Sequence, residues 1–79
     1  MSEFQVSLSS IEEVRQFVNA ASHSPCEVDV LSGRYVVDGK SIMGLFSLDL
    51  SRPATVRLHG APGDQETFRQ SVTAFIPAD

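Results

Sequence analysis

The alternation of hydrophobic and polar residues predicts a strand and then a helix at the start of the chain. Phe4, Val6 and Leu8 alternate with polar residues, which is the two-residue period of a strand with one covered face. The segment from Ser10 to Glu13 is typical of a capping box, because the Ser10 hydroxyl can accept the Glu13 amide while the Glu13 carboxylate returns to the Ser10 amide. A helix is therefore expected to begin at Ser10.

This first helix is expected to have one apolar stripe and a clear end. Its hydrophobic residues recur with helical spacing, at Ile11, Val14, Phe17, Val18 and Ala21. Ser22 and Ser24 favour a turn, and the ring of Pro25 would disrupt a helix that continued. The stripe predicts a helix that packs on a sheet or on another helix.

A β-hairpin is predicted next. Val28 and Val30 alternate with Glu27, Asp29 and Leu31, which indicates a second strand. Residues 32–33 are suited to a two-residue reversal, after which residues 34–37 return as the partner strand.

A short helix, a strand and a last helix are predicted to follow the hairpin. After a turn at 38–39, residues 41–48 can make only about two helical turns. Residues 55–59 alternate as a strand, and residues 60–63 form a turn. Asp64 is expected to be the N-cap of the last helix, and Pro77 is expected to stop it. The apolar face of this helix is predicted to contain Phe68, Val72, Phe75 and Ile76.

This order of elements predicts the α+β class. Helices would cover one face of a mainly antiparallel sheet and leave the other face to water, giving an open-faced sandwich. The 79 residues are expected to form a single domain, 1–79, whose 42% hydrophobic content can build a small core without a metal or a disulfide.

Composition restricts the class of partner and the compartment. Ten acidic residues against six basic ones give a net charge of −4, which argues against general binding to nucleic acid or to an anionic membrane. No apolar run approaches the ~18 residues of a membrane span, no leader is apparent, and the single Cys26 cannot form an internal disulfide. We therefore expect a cytoplasmic protein whose partners are proteins.

Few residues are arranged for catalysis or metal binding. Cys26 has no histidine placed as its base, and His23 and His59 lack the spacing of metal ligands. Glu12 and Glu13 are adjacent on a helix and point about 100° apart, which suits capping better than an acid–base pair. No glycine-rich nucleotide loop is present. The sequence therefore predicts a non-enzymatic protein without a metal or a cofactor.

Ser41 is the residue with two distinct interpretations. Serine is a favoured N-cap, so its role could be structural. A phosphate on Ser41 would instead lie where free amides and the helix dipole attract anions, beside Lys40, which would make the residue a regulatory site. The residue types alone leave both interpretations open.

The run Gly39-Lys40-Ser41-Ile42-Met43-Gly44, continued by Ser47-Leu48, resembles the regulatory-serine segment of HPr. HPr is the small phosphocarrier of the bacterial phosphoenolpyruvate-dependent sugar phosphotransferase system. Residues 16–18 and 20–21 resemble the first helix of that family, and their distance to Ser41 fits without gaps. The resemblance implies an open-faced β-sandwich with a four-stranded antiparallel sheet and three helices.

The resemblance fails at the family's phosphoryl-accepting motif, Gly-Leu-His-x-Arg-Pro-Ala, which opens the first helix. Aligning that helix on residues 17–18 places Ser10 at the phospho-histidine position, Glu12 at the arginine position and Glu13 at the proline position. A phosphate there would meet two carboxylates, and a like-charge pair at about 4 Å costs on the order of one to several kcal/mol.

The resemblance therefore implies a regulatory role similar to that of Crh, a histidine-lacking relative of HPr. Such a protein would be phosphorylated on Ser41 by HPr kinase/phosphorylase and would bind the transcription factor of catabolite repression. Ile42, Met43 and Phe46 are expected in the apolar surface that meets partner proteins, with core packing as the alternative. Two other functions stay open: a phosphocarrier that uses Ser10 or a displaced histidine, and a reused interaction module in which Ser41 is only a cap.

Overall fold

Four strands and three helices follow one another in the predicted order. The computed structural model describes residues 2–77. The elements are β1 Ser2–Val6, α1 Ile11–Ser22, β2 Glu27–Ser32, β3 Tyr35–Asp38, α2 Ile42–Phe46, β4 Ala54–His59 and α3 Pro62–Ser71, with a 3₁₀ turn at Thr73–Phe75. The strands form one antiparallel sheet in the order β1-β4-β2-β3.

The sheet has one covered face and one open face because its strands alternate strictly. Val28 and Val30 of β2, like Val56 and Leu58 of β4, are fully buried beneath the helices. Charged residues occupy the opposite face, where Arg57 Nε lies 2.7 Å from Glu3 Oε2. This arrangement confirms the predicted α+β open-faced sandwich with three helices on one side.

The core lies between the helices and the covered face of the sheet. Phe17 of α1 and Phe68 of α3 meet edge to face, with ring centroids 5.7 Å apart, and so join the two long helices. The core cluster of buried residues contains Val6, Leu8, Val14, Phe17, Ala21, Val28, Val30, Leu45, Leu48, Ala54, Val56, Leu58, Phe68 and Val72.

At the start of α1, the hydrogen bond to Ser10 is the predicted one, whereas the Glu13 carboxylate binds a different residue from the one predicted. Ser10 Oγ accepts the Glu13 amide at 3.1 Å. The Glu13 carboxylate, however, accepts from the amide of Ser9 at 2.7 Å and from its hydroxyl at 3.0 Å, instead of from the Ser10 amide. Ser9 offers two donors to one carboxylate oxygen, which explains the shift by one residue.

Two predicted boundaries move because of glycine and proline geometry. The hairpin reverses at Gly33 and Arg34, not at residues 32–33, because Gly33 has φ +59° and takes the first central position of the turn, which only glycine occupies easily. The last helix begins with Ala61 as N-cap and Pro62 as its first residue, so Asp64 lies in the first turn and is not the cap. Proline is suited to that position because it lacks the amide that would go unpaired there.

The short helix and the last helix both end earlier than predicted. The short helix covers five residues, not eight, since the Ser47 hydroxyl donates to the Gly44 carbonyl at 2.6 Å where the helix ends. The last helix ends at Ser71, so Phe75 belongs to the 3₁₀ turn and Ile76 follows it, short of Pro77.

Candidate functional site

Ser41 caps the short helix α2, as the sequence predicted. Its backbone is extended, with φ −109° and ψ 110°, and its Oγ accepts the Gly44 amide at 3.1 Å. A Cβ atom on Gly44 would lie 3.3 Å from that Oγ and 3.2 Å from Val37 Cβ. Glycine therefore allows the first turn of α2 to approach both Ser41 and β3 closely.

The surroundings of Ser41 include one cation and an uncharged helical turn. The first turn of α2 contains only uncharged residues. The Lys40 amide donates to Asp38 Oδ1 at 2.9 Å, and its Nζ donates to the Ser24 carbonyl at 3.1 Å, which holds the ammonium group near the end of α1. The turn before the helix therefore contains one carboxylate, that of Asp38, as well as Lys40.

The residues that follow Ser41 divide between the core and the surface. Leu45 is fully buried, whereas Met43 is 75% exposed and Phe46 is 43% exposed. Ile42 is half-buried and packs against the edge of the core. A helix of one turn cannot bury side chains in all directions, so part of its hydrophobic content faces solvent. We refer to Ile42, Met43 and Phe46 together as the apolar surface.

The apolar surface continues into a groove beside the start of α1. This groove has a volume of about 430 Å³ and is lined by Leu8, Ser9, Ser10, Ile11, Val14, Phe46, Leu50 and Ser51. Ile11, which the sequence assigned to the buried stripe, is 68% exposed because the buried stripe begins one turn later, at Val14. Ile11 is the first residue of α1, and this terminal position was the signal in the sequence that could have indicated its exposure.

The start of α1 carries carboxylates where the start of α2 carries none. Glu12 and Glu13 lie in its first turn. Glu12 Oε1 lies 3.7 Å from Arg15 Nη1 in a pair that is largely exposed, and Glu13 is bound to Ser9 as described above. Ser10 thus lies in the same groove as Phe46 but in a more negative setting than Ser41.

Neither histidine lies near the start of α1. His23 caps the opposite end of that helix, with Nδ1 2.7 Å from the Asn19 carbonyl oxygen. His59 lies in β4 on the open face of the sheet, with Nε2 3.0 Å from Asp29 Oδ2. The structure therefore places the two imidazoles at separate sites, both away from Ser10.

The remaining candidate residues have surroundings that explain them structurally. Cys26 is fully buried against Gly60, where an added Cβ would lie 2.9 Å from the cysteine sulfur. Within residues 2–77, no three His, Cys, Asp or Glu side chains converge as a metal site would require. In the same part of the chain, no helix is both long and apolar enough to cross a membrane.

The antiparallel sheet in the order β1-β4-β2-β3, covered by helices on one face, defines a small open-faced sandwich with a capped serine helix at its surface. A family model described as "PTS HPr component phosphorylation site" matches residues 13–77. The chain therefore belongs to the HPr family, the phosphocarriers of the phosphotransferase system. The match includes Ser41 and the apolar surface, and it begins three residues after Ser10.

Solved structures agree with this assignment at the level of the fold. The HPr-C-His structure from Thermoanaerobacter tengcongensis has a TM-score of 0.80 and 24% identity, over 96% of this chain and 91% of that one. The phosphocarrier protein HPr from Bacillus anthracis str. Ames has a TM-score of 0.72 and 24% identity, over 96% of this chain and 94% of that one. A histidine-containing phosphocarrier protein from Mycoplasma has a TM-score of 0.73 and 17% identity, over 98% of this chain and 100% of that one. Among curated protein sequences, none matches the chain significantly.

Proposed function

We propose that this protein is a non-catalytic regulatory member of the HPr family, switched by phosphorylation of Ser41. The observation that supports this proposal is the contrast between its two serine-capped helix starts. Glu12 and Glu13 lie in the first turn of α1, behind Ser10, whereas the first turn of α2, behind Ser41, is uncharged and is preceded by the oppositely charged Asp38 and Lys40. Because a phosphate carries about two negative charges at neutral pH, the start of α2 accommodates it at lower electrostatic cost.

A phosphate on Ser41 would change the surface that a partner meets. The modified residue would lie directly before Ile42 and Met43, and Met43 is the most exposed large hydrophobic residue of the described chain. An apolar contact patch bordered by a new dianion recognises partners that combine a hydrophobic contact with a basic group. Candidate partners are an HPr kinase/phosphorylase, a transcription regulator and other components of the phosphotransferase system, all met in the cytoplasm.

Phosphorylation in vitro tests the proposal directly. The protein is incubated with an HPr kinase and ATP, and the modified residue is mapped by mass spectrometry. Ser41→Ala is the test variant, and Ser47→Ala is its matched control, because Ser47 lies at the other end of the same helix. We expect phosphate on Ser41 in the unaltered protein and in Ser47→Ala, and none in Ser41→Ala. Absence of phosphate from Ser41 in the unaltered protein would refute the proposal.

Partner binding tests the apolar surface separately. Met43→Ser removes the exposed thioether, while Gln16→Ser is a control on the exposed side of α1. Binding of the phosphorylated protein to a catabolite-control regulator should weaken at least tenfold in Met43→Ser and change little in Gln16→Ser. If Ser41→Ala bound the partner as well as the phosphorylated protein does, Ser41 would be only a cap and the fold would serve as an interaction module.

A phosphocarrier with Ser10 as its acceptor is the second candidate function. It is favoured by one observation, the position of Ser10 in the groove that Phe46 also lines. This function predicts labelling of the protein by phosphoenolpyruvate and Enzyme I. We expect no labelling, and we expect Ser10→His to gain transfer only when Glu12→Arg is added, because the carboxylate opposes the incoming phosphate.

A further inference from the structure

Strand β3 is an open edge of the sheet. Within residues 2–77 it has β2 on one side and no strand on the other. Its side chains are unusually exposed for a strand, with Tyr35 at 67% and Val36 at 60%. An edge with exposed hydrophobic residues is a template for pairing with a further strand unless something blocks it.

The pairing of β3 with β2 shows which backbone groups face outward. The Gly39 amide donates to the Val28 carbonyl at 2.7 Å, and this bond sets the phase of the antiparallel ladder. Hydrogen-bonded pairs alternate with non-hydrogen-bonded ones, so Val37 bonds to β2 whereas Val36, which faces Leu31, does not. The N–H and C=O groups of Val36 therefore point away from the sheet.

The charged residues along this edge would meet residues of opposite charge if a second copy of the strand were placed beside it by a two-fold rotation. Arg34 precedes Val36 by two residues, and Asp38 follows it by two. In an antiparallel pair of two β3 strands centred on Val36, Arg34, the turn residue directly before β3, lies level with Asp38 of the other copy. Tyr35 then lies opposite Val37, a combination of aromatic and β-branched residues that stabilises neighbouring strands.

We propose that β3 is a self-association edge through which two copies of this chain form one continuous eight-stranded sheet about a two-fold axis at Val36. The two Val36 residues exchange a pair of backbone hydrogen bonds. The Asp38 amide of each copy donates to the Arg34 carbonyl of the other. Shifting the pairing by two residues leaves both Arg34 and Asp38 without an oppositely charged partner, so the centred register is the favoured one.

The contact is small, so the dimer is weak. Five residues on each copy bury less than the roughly 1,200 Å² of a stable interface. The net charge of −4 on each copy adds a repulsion between the bodies of the two copies, which moderate salt screens. We therefore expect association at high protein concentration and a monomer under dilute conditions.

Charge exchange between copies tests the proposal. Sedimentation equilibrium is measured up to about 1 mM protein, where weak association becomes populated. Arg34→Asp and Asp38→Arg should each abolish dimerisation, because each places like charges opposite one another. An equimolar mixture of the two variants should restore it, because both cross-copy pairs become attractive again. A monomeric unaltered protein, an Arg34→Asp variant that dimerises normally, or a mixture that does not associate would overturn the proposal.

Amide hydrogen exchange in the unaltered protein gives a second test that does not depend on any variant folding. The Val36 amide should exchange more slowly as protein concentration rises. The Val37 amide is the internal control, since it is already bonded to β2 and its exchange should not depend on concentration. Concentration-independent exchange at Val36 would also overturn the proposal. This second test is needed because Asp38→Arg also removes the carboxylate oxygen that accepts the Lys40 amide, which could disturb the turn before α2.

Discussion

Replacing Ser10 and Ser41 by aspartate, one at a time, measures how each helix start tolerates negative charge. Aspartate is as good an N-cap as serine, so the hydrogen bonds to the Glu13 and Gly44 amides are kept in both variants. The attraction between the new carboxylate and the first-turn amides is local and is similar at the two sites. What differs is the neighbouring charge.

The structure gives the size of the difference. At the start of α1 the new carboxylate would lie one helical turn from Glu13. A like-charge pair at that spacing lowers the stability of a helix by about 0.2–0.5 kcal/mol. Glu12 adds to this cost but is partly compensated by Arg15. At the start of α2 the first turn is uncharged, and the two charged residues that precede Ser41, Asp38 and Lys40, have opposite signs. We expect Ser10→Asp to be less stable than Ser41→Asp by about 0.2–1 kcal/mol, or about 1–8 °C in Tm.

Thermal unfolding followed by circular dichroism is a suitable assay. Ser10→Ala and Ser41→Ala are the matched controls, and each should lose about 1 kcal/mol with its cap bond. The measurement is repeated at about 1 M salt, where the screening length falls to about 3 Å and the gap between the aspartate variants should close. If Ser10→Asp were at least as stable as Ser41→Asp at low salt, the electrostatic contrast behind the proposed switch would be refuted.

Three further predictions concern single sites. Gly39→Ala should cost at least about 2 kcal/mol in urea unfolding, because its Cβ would lie 2.5 Å from Val28 Cγ1; a neutral effect would contradict the packing described. The hydroxyl of Ser51, followed by its amide, holds the pKa of Asp49 below its ordinary value. Ser51→Ala should therefore raise that pKa in an NMR titration, and any stability from this contact is present above the ordinary carboxyl pKa and is lost as pH falls through the lowered one. Met43→Ser should change unfolding stability by less than about 0.5 kcal/mol, since the side chain is mostly exposed, and a larger loss would indicate core packing instead.

The sequence determined the features that depend on neighbouring residues. Ser10 and Ser41 were predicted as caps because each hydroxyl bonds an amide only three residues away, and both bonds are present. The alternation through β2 and β4 likewise predicted which of their residues are buried. A hydrogen bond or a side-chain period within one segment is a local property, so it can be inferred before the fold is known.

Tertiary structure decided the features that depend on segments far apart in the chain. It placed β4 between β1 and β2, left Ile11 exposed while Leu45 became buried, and brought Ser10 into a groove with Phe46. None of these follows from local periodicity, because burial depends on what other elements cover. The same holds for the open edge at β3, whose self-complementary charges are visible in the sequence but acquire meaning only once the sheet order leaves that strand unpaired.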